Sequence, residues 1–139
     1  MHPIRTSSPV RALAALAIGL AAASAFAGDI ALSGANEVPP VTTTGSATGS
    51  IVVASDGAVS GMVKTTGLRG TMAHIHMAPT GKNGPVVIPL TAGPNGEWSV
   101  PAGAKLDAAQ LKAYQAGELY VNVHTEANKG GEIRAQLMP

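Results

Sequence analysis

Histidine is the side chain most often used to move a proton near neutral pH or to hold a metal, and three of the four in this chain sit at informative spacing: His74, His76 and His124. Strand alternation sends side chains two apart to one face. In Thr71-Met72-Ala73-His74-Ile75-His76-Met77 it therefore aligns His74 with His76 and turns Ile75 and Met77 toward a core. In Leu119-Tyr120-Val121-Asn122-Val123-His124 the apolar set alternates with Tyr120, Asn122 and His124, which places His124 on a polar face. All three imidazoles are thus expected outside the core, free to bind a metal without being buried. A pair at i and i+2 with a third from a neighbouring strand makes a three-nitrogen site with an open position. Imidazole suits copper, zinc and nickel, and copper(II) leads by intrinsic affinity. Met72 shares the histidine face, where a thioether could help hold copper(I), and Asn122 and Glu126 flank His124 as candidate supporting groups. Histidines on an ordinary wetted strand would alternate in the same way, but a third on a second polar face, with the fourth only at His2, favours a metal site.

Other chemistries lack a constellation. There is no nucleophile-elbow motif, no phosphate-cradling glycine-rich loop before a helix, and no pair of carboxylates at informative spacing. A three-histidine metal with an open position is how zinc activates water in some hydratases, and a copper version could cycle with superoxide. The candidate base near the histidines is Glu126, two residues past His124, and acidic loop residues are usually just solvated.

The elements that must position these residues read as short strands. Ile30 to Ala35, Gly49 to Ala54, Val59 to Thr66, Thr71 to Ala78, Val86 to Leu90, Gly96 to Val100, Leu119 to Thr125 and Glu132 to Met138 are apolar runs between turn signals, the pattern of an all-β sandwich or barrel. Asp56-Gly57 suits a tight hairpin turn between the second and third runs. Asp107 with Gln110 resembles a capping box, and Gly117 can close a helix, so one short helix is expected at about residues 107 to 116. Val41 to Ser46, Pro79 to Pro85, Ala92 to Asn95 and Glu126 to Gly131 are the expected flexible pieces.

Residues 1–27 read as a secretory signal peptide. Arg5 and Arg11 precede an apolar stretch from Ala12 to Ala23, and Ala25-Phe26-Ala27 fits a small-residue cleavage site. The stretch is 12 residues long, short of the ~20 needed to span a bilayer as a helix. Its removal leaves residues 28–139 as one domain with seven basic and eight acidic side chains. So even a balance offers neither nucleic acid nor anionic lipid a basic footing. The expected location is therefore the periplasm or the medium. Cysteine is absent, so stability must come from packing.

The same residues carry a resemblance. Leu32-Ser33-Gly34-Ala35-Asn36-Glu37-Val38-Pro39-Pro40-Val41, then Ala73-His74-Ile75-His76 with Gly81-Lys82-Asn83-Gly84-Pro85-Val86-Val87, then Gly117 to Thr125 and Gly131 to Leu137, together resemble the CHRD domain family over nearly the whole mature chain. Met77, Lys129 and Ala135 depart from the family's usual Gly, Pro and Gly. The family's histidine segments are in turn similar to the copper-binding strands of copper/zinc superoxide dismutases. The resemblance implies a Greek-key, immunoglobulin-like or superoxide dismutase-like β-sandwich. It also implies that His74, His76 and His124 correspond to three copper ligands. The likeness stops there: no further histidine can bridge to zinc, no cysteine pair exists, and only nine residues separate His124 from Arg134. Arg134 should share the outer face with Glu132, Gln136 and His124, near the metal or simply exposed. The expected function is sequestration or transfer of copper, with zinc as the other candidate ion. The alternative is a metal-free interaction module that meets another exported protein, and the third is a dismutase-like or hydratase-like metalloenzyme.

Overall fold

A computed structural model describes residues 27–139, so the expected leader falls outside the described residues apart from Ala27. The described residues form nine strands, β1 (Ala27–Leu32), β2 (Ser46–Val53), β3 (Val59–Thr66), β4 (Gly70–Met77), β5 (Val86–Pro89), β6 (Thr91–Ala92), β7 (Glu97–Ser99), β8 (Leu119–Thr125) and β9 (Ile133–Leu137), with one α-helix, α1 (Ala108–Gln115). They build two antiparallel sheets, ordered β1-β2-β3-β7-β6 and β5-β4-β8-β9. The chain changes sheet after β3, β5 and β7, giving the crossing connections expected of a Greek-key sandwich.

Local chemistry accounts for most of these elements. Gly57, at φ +89°, closes the β2–β3 hairpin, which runs in unbroken register from Ser46 opposite Thr66 to Val53 opposite Val59. At α1, Gln110 N donates to Asp107 Oδ1 at 2.8 Å and Asp107 N donates to Gln110 Oε1 at 3.0 Å. Two otherwise orphaned donors are satisfied by this reciprocal cap. Gly117, at φ +74°, then releases the chain into β8.

Two elements differ from the sequence reading. β1 starts at Ala27 and ends at Leu32, because residues 34–36 tighten into a 3-10 turn. Ser33 and Arg134 exchange backbone hydrogen bonds of 3.0 and 3.1 Å, tying that end of β1 to β9. Thr91–Ala92, placed partly in a flexible piece, is instead a short edge strand paired with β7.

The inward faces supply the core: Leu32, Ile51 and Val63 from one sheet meet Ile75, Val121, Val123 and Ile133 from the other, each at most 5% accessible. Trp98 and Tyr114 add the aromatic bulk. Because β4 and β8 are neighbours, with Met72 opposite His124, His74 opposite Asn122 and His76 opposite Tyr120, the outward residues of both strands form one patch.

Candidate metal centre

The three histidines converge. One ring nitrogen from each of His74, His76 and His124 lies within 4.8 Å of the others, and His74 Nδ1 is 3.0 Å from His124 Nε2. Backbone carbonyls fix which nitrogens face inward. His76 Nδ1 donates to the Gly84 carbonyl at 2.9 Å, and His124 Nδ1 donates to the Lys129 carbonyl at 2.8 Å. In a neutral imidazole the other nitrogen then carries a lone pair. His76 Nε2 is buried with no hydrogen-bond partner of good geometry, and His124 Nε2 accepts from His74 Nδ1. Carbonyl partners of this kind orient the imidazoles of metal sites. The donor set His74 Nδ1, His76 Nε2 and His124 Nε2 therefore fits a borderline or soft ion, which would take the place of the His74–His124 hydrogen bond while the His74 proton moves to Nε2.

The expectation of unburied imidazoles is corrected. His76 and His124 are 8% and 7% accessible, and β8 is buried on both faces. Alternation tells which side of a sheet a residue takes, not whether water reaches that side. Here loops roof it. Asn83 in the 79–85 loop donates to the Val38 carbonyl at 2.8 Å, and Gly84 N donates to the Tyr120 hydroxyl at 3.2 Å. The segments expected to be flexible at Pro79 to Pro85 and Glu126 to Gly131 thus supply the carbonyls that hold two of the rings.

Burial sets the electrostatics. It pushes the His74 imidazole below its usual range, reinforced by His124 and His76. It pushes His76 down as well, outweighing the opposing bond to the Gly84 carbonyl. Both rings are held in the neutral, ligating form at neutral pH.

The supporting groups divide. Asn122 is buried at 2% accessibility and lies close enough to Glu37 and His76 to bias the proton affinity of each. Its Oδ1 and Glu37 Oε1 nevertheless lack a hydrogen bond of good geometry. Burial raises the Glu37 carboxyl despite Asn122 and Arg134. Arg134 is not an exposed strand residue: it is 1% accessible, and its Cζ stands 3.4 Å from the centre of the Tyr120 ring. Tyr120 in turn stacks on His76, with centroids 4.8 Å apart and planes 2° from parallel. Arg134 is thus one ring removed from the cluster. Glu132 turns to Thr125, Asn128 and Thr43. Glu126 points outward and pairs with Lys129 at 3.4 Å on the surface. Met72 is 51% exposed at the open end of the patch.

Sequence reasoning missed Gly84 and Lys129, which act through backbone carbonyls that every residue type possesses. Tyr120 was legible, since alternation set it on the histidine face.

Residues 29–137 match the family model described as the CHRD domain. The chain belongs to the CHRD domain family. Neither the curated proteins nor the solved structures searched contain a match to it. CHRD domains are typically extracellular, and among the described residues no helix is long and apolar enough to cross a membrane.

Proposed function

We propose that this CHRD domain binds one copper ion through His74, His76 and His124 and sequesters or passes it on outside the cytoplasm. The observation that carries this reading is the convergence of the three rings, one nitrogen from each within 4.8 Å of the others, with His76 Nε2 buried and without a hydrogen bond of good geometry. A buried acceptor without a donor costs roughly 1–3 kcal/mol, a cost that an ion would offset. Three imidazoles favour copper(II) over zinc in intrinsic affinity, and structural zinc sites are usually closed by a fourth protein ligand. Bound there, copper would supply reversible one-electron chemistry, and the chain's residues would orient the ligands and exclude water from two of them.

Titration of the metal-free domain, residues 28–139, with Cu(II) and Zn(II) tests the reading. Stoichiometric, sub-micromolar binding of Cu(II) is expected, and His74→Ala and His124→Ala should each weaken it at least tenfold. Absence of such binding, or binding that both variants leave unchanged, overturns it. Family membership supports a second reading, a non-catalytic interaction module; full partner binding by a folded domain stripped of metal would favour that one.

A further inference from the structure

We infer that Met72 is a fourth ligand that acts on copper(I) and makes the centre selective for the reduced ion. The inference rests on the three-histidine reading and adds the residue that distinguishes oxidation states. Met72 shares its face of β4 with His74 and His76, and it stands directly opposite His124 in the β4–β8 register. It therefore borders two of the three proposed ligands. Directly opposed residues on antiparallel strands place Cβ atoms about 4.5–5.5 Å apart, and a methionine side chain has three rotatable bonds beyond its Cα.

Accessibility adds a second line of argument. His76 and His124 are buried under the loops, His74 is half-buried, and Met72 is 51% exposed. The side of the cluster open to solvent is the His74–Met72 side. β5 pairs with β4 from His74 to His76 and does not extend to Met72. Met72 is a large apolar side chain left half in water beside a polar cluster. Thioether sulfur is a soft donor that selects copper(I) over copper(II) and zinc. Folded inward, Met72 would complete four donors with three nitrogens and one sulfur; folded outward, it would leave the open position to solvent.

The test compares the full mature domain with Met72→Leu, which keeps size and apolarity but removes the sulfur. Copper(I) affinity, measured under reducing conditions by competition with a chromophoric copper(I) chelator, is expected to fall roughly tenfold. Cu(II) and Zn(II) affinities should change less than about twofold. X-ray absorption of the copper(I) form should show one sulfur scatterer in the wild-type protein and none in the variant. Unchanged copper(I) affinity, an equal loss for both oxidation states, or a copper(I) spectrum with nitrogen ligands alone would overturn the inference while leaving the histidine site standing. Failure of the wild-type domain to bind Cu(II) or Cu(I) at all would overturn the underlying metal reading, and Met72 selectivity with it.

Discussion

Two histidines of the cluster spend one nitrogen on a backbone carbonyl and leave the other toward the remaining rings. In His76 and His124 it is Nδ1 that meets the carbonyl, of Gly84 and Lys129 respectively. The arrangement also has a consequence for pH. Burial lowers the folded-state pKa of His74 and of His76, whereas an unfolded imidazole titrates near the usual ~6.5. Below that value the unfolded chain takes up protons that the folded domain refuses. The stability these two sites contribute is complete above pH ~6.5 and is lost as the pH falls toward the folded pKa values. Glu37 works in the opposite sense, since its raised pKa makes the folded state bind a proton more readily than the unfolded one. The test is therefore a difference. In urea denaturation of metal-free protein between pH 7 and 5, His74→Gln/His76→Gln should show a flatter decline than the wild type. Parallel profiles would show that the two rings titrate alike in both states.

At the scale of elements, the strands aim the imidazoles and the loops hold them. The 79–85 loop is clamped through one residue: the Gly84 carbonyl accepts from His76 Nδ1 and the Gly84 N–H donates to the Tyr120 hydroxyl. No side chain fits there, because a Cβ at Gly84 would collide with the Met77 carbonyl oxygen. Gly84→Ala is expected to cost about 1–3 kcal/mol of stability by overpacking and, by releasing His76, to weaken Cu(II) binding roughly tenfold or more. Gly130→Ala is the control, since a Cβ there meets nothing within 4 Å. Urea midpoints and metal titrations of both variants check this, and an unaltered copper affinity in a folded Gly84→Ala protein would show that the loop does not orient the ring.

For the whole molecule, the cluster joins β4 to β8 at the middle of one sheet and, through Gly84 and Lys129, fastens two loops over it. An ion bound by the native arrangement and not by the unfolded chain stabilises the fold by about 2.7 kcal/mol at a hundredfold excess over Kd, a rise in Tm on the order of 10 °C for a domain of this size. Calorimetry with and without Cu(II) should show that rise in the wild type and at most about half of it in His124→Ala. A Tm that copper leaves unmoved in the wild type would count against native-state binding.

Much of this design could be read from the chain alone because it depends on short-range stereochemistry. Side-chain direction along a strand has a period of two residues, so alternation was enough to separate Leu119, Val121 and Val123 from Tyr120, Asn122 and His124 and to pair His74 with His76. The Asp107–Gln110 cap and the Asp56-Gly57 turn are local in the same way, and both form where the residues indicate. What stands over the outer face is not local. Whether His76 and His124 are wet or dry depends on how the loops after β4 and β8 fold back over the sheet, and the groups that fix their ring nitrogens are main-chain carbonyls that carry no residue signature. Arg134 shows the same division. Its face followed from alternation, but its burial against Tyr120, one ring from His76, was decided when β8 and β9 paired beneath the loops, since packing between distant segments leaves no periodicity to read.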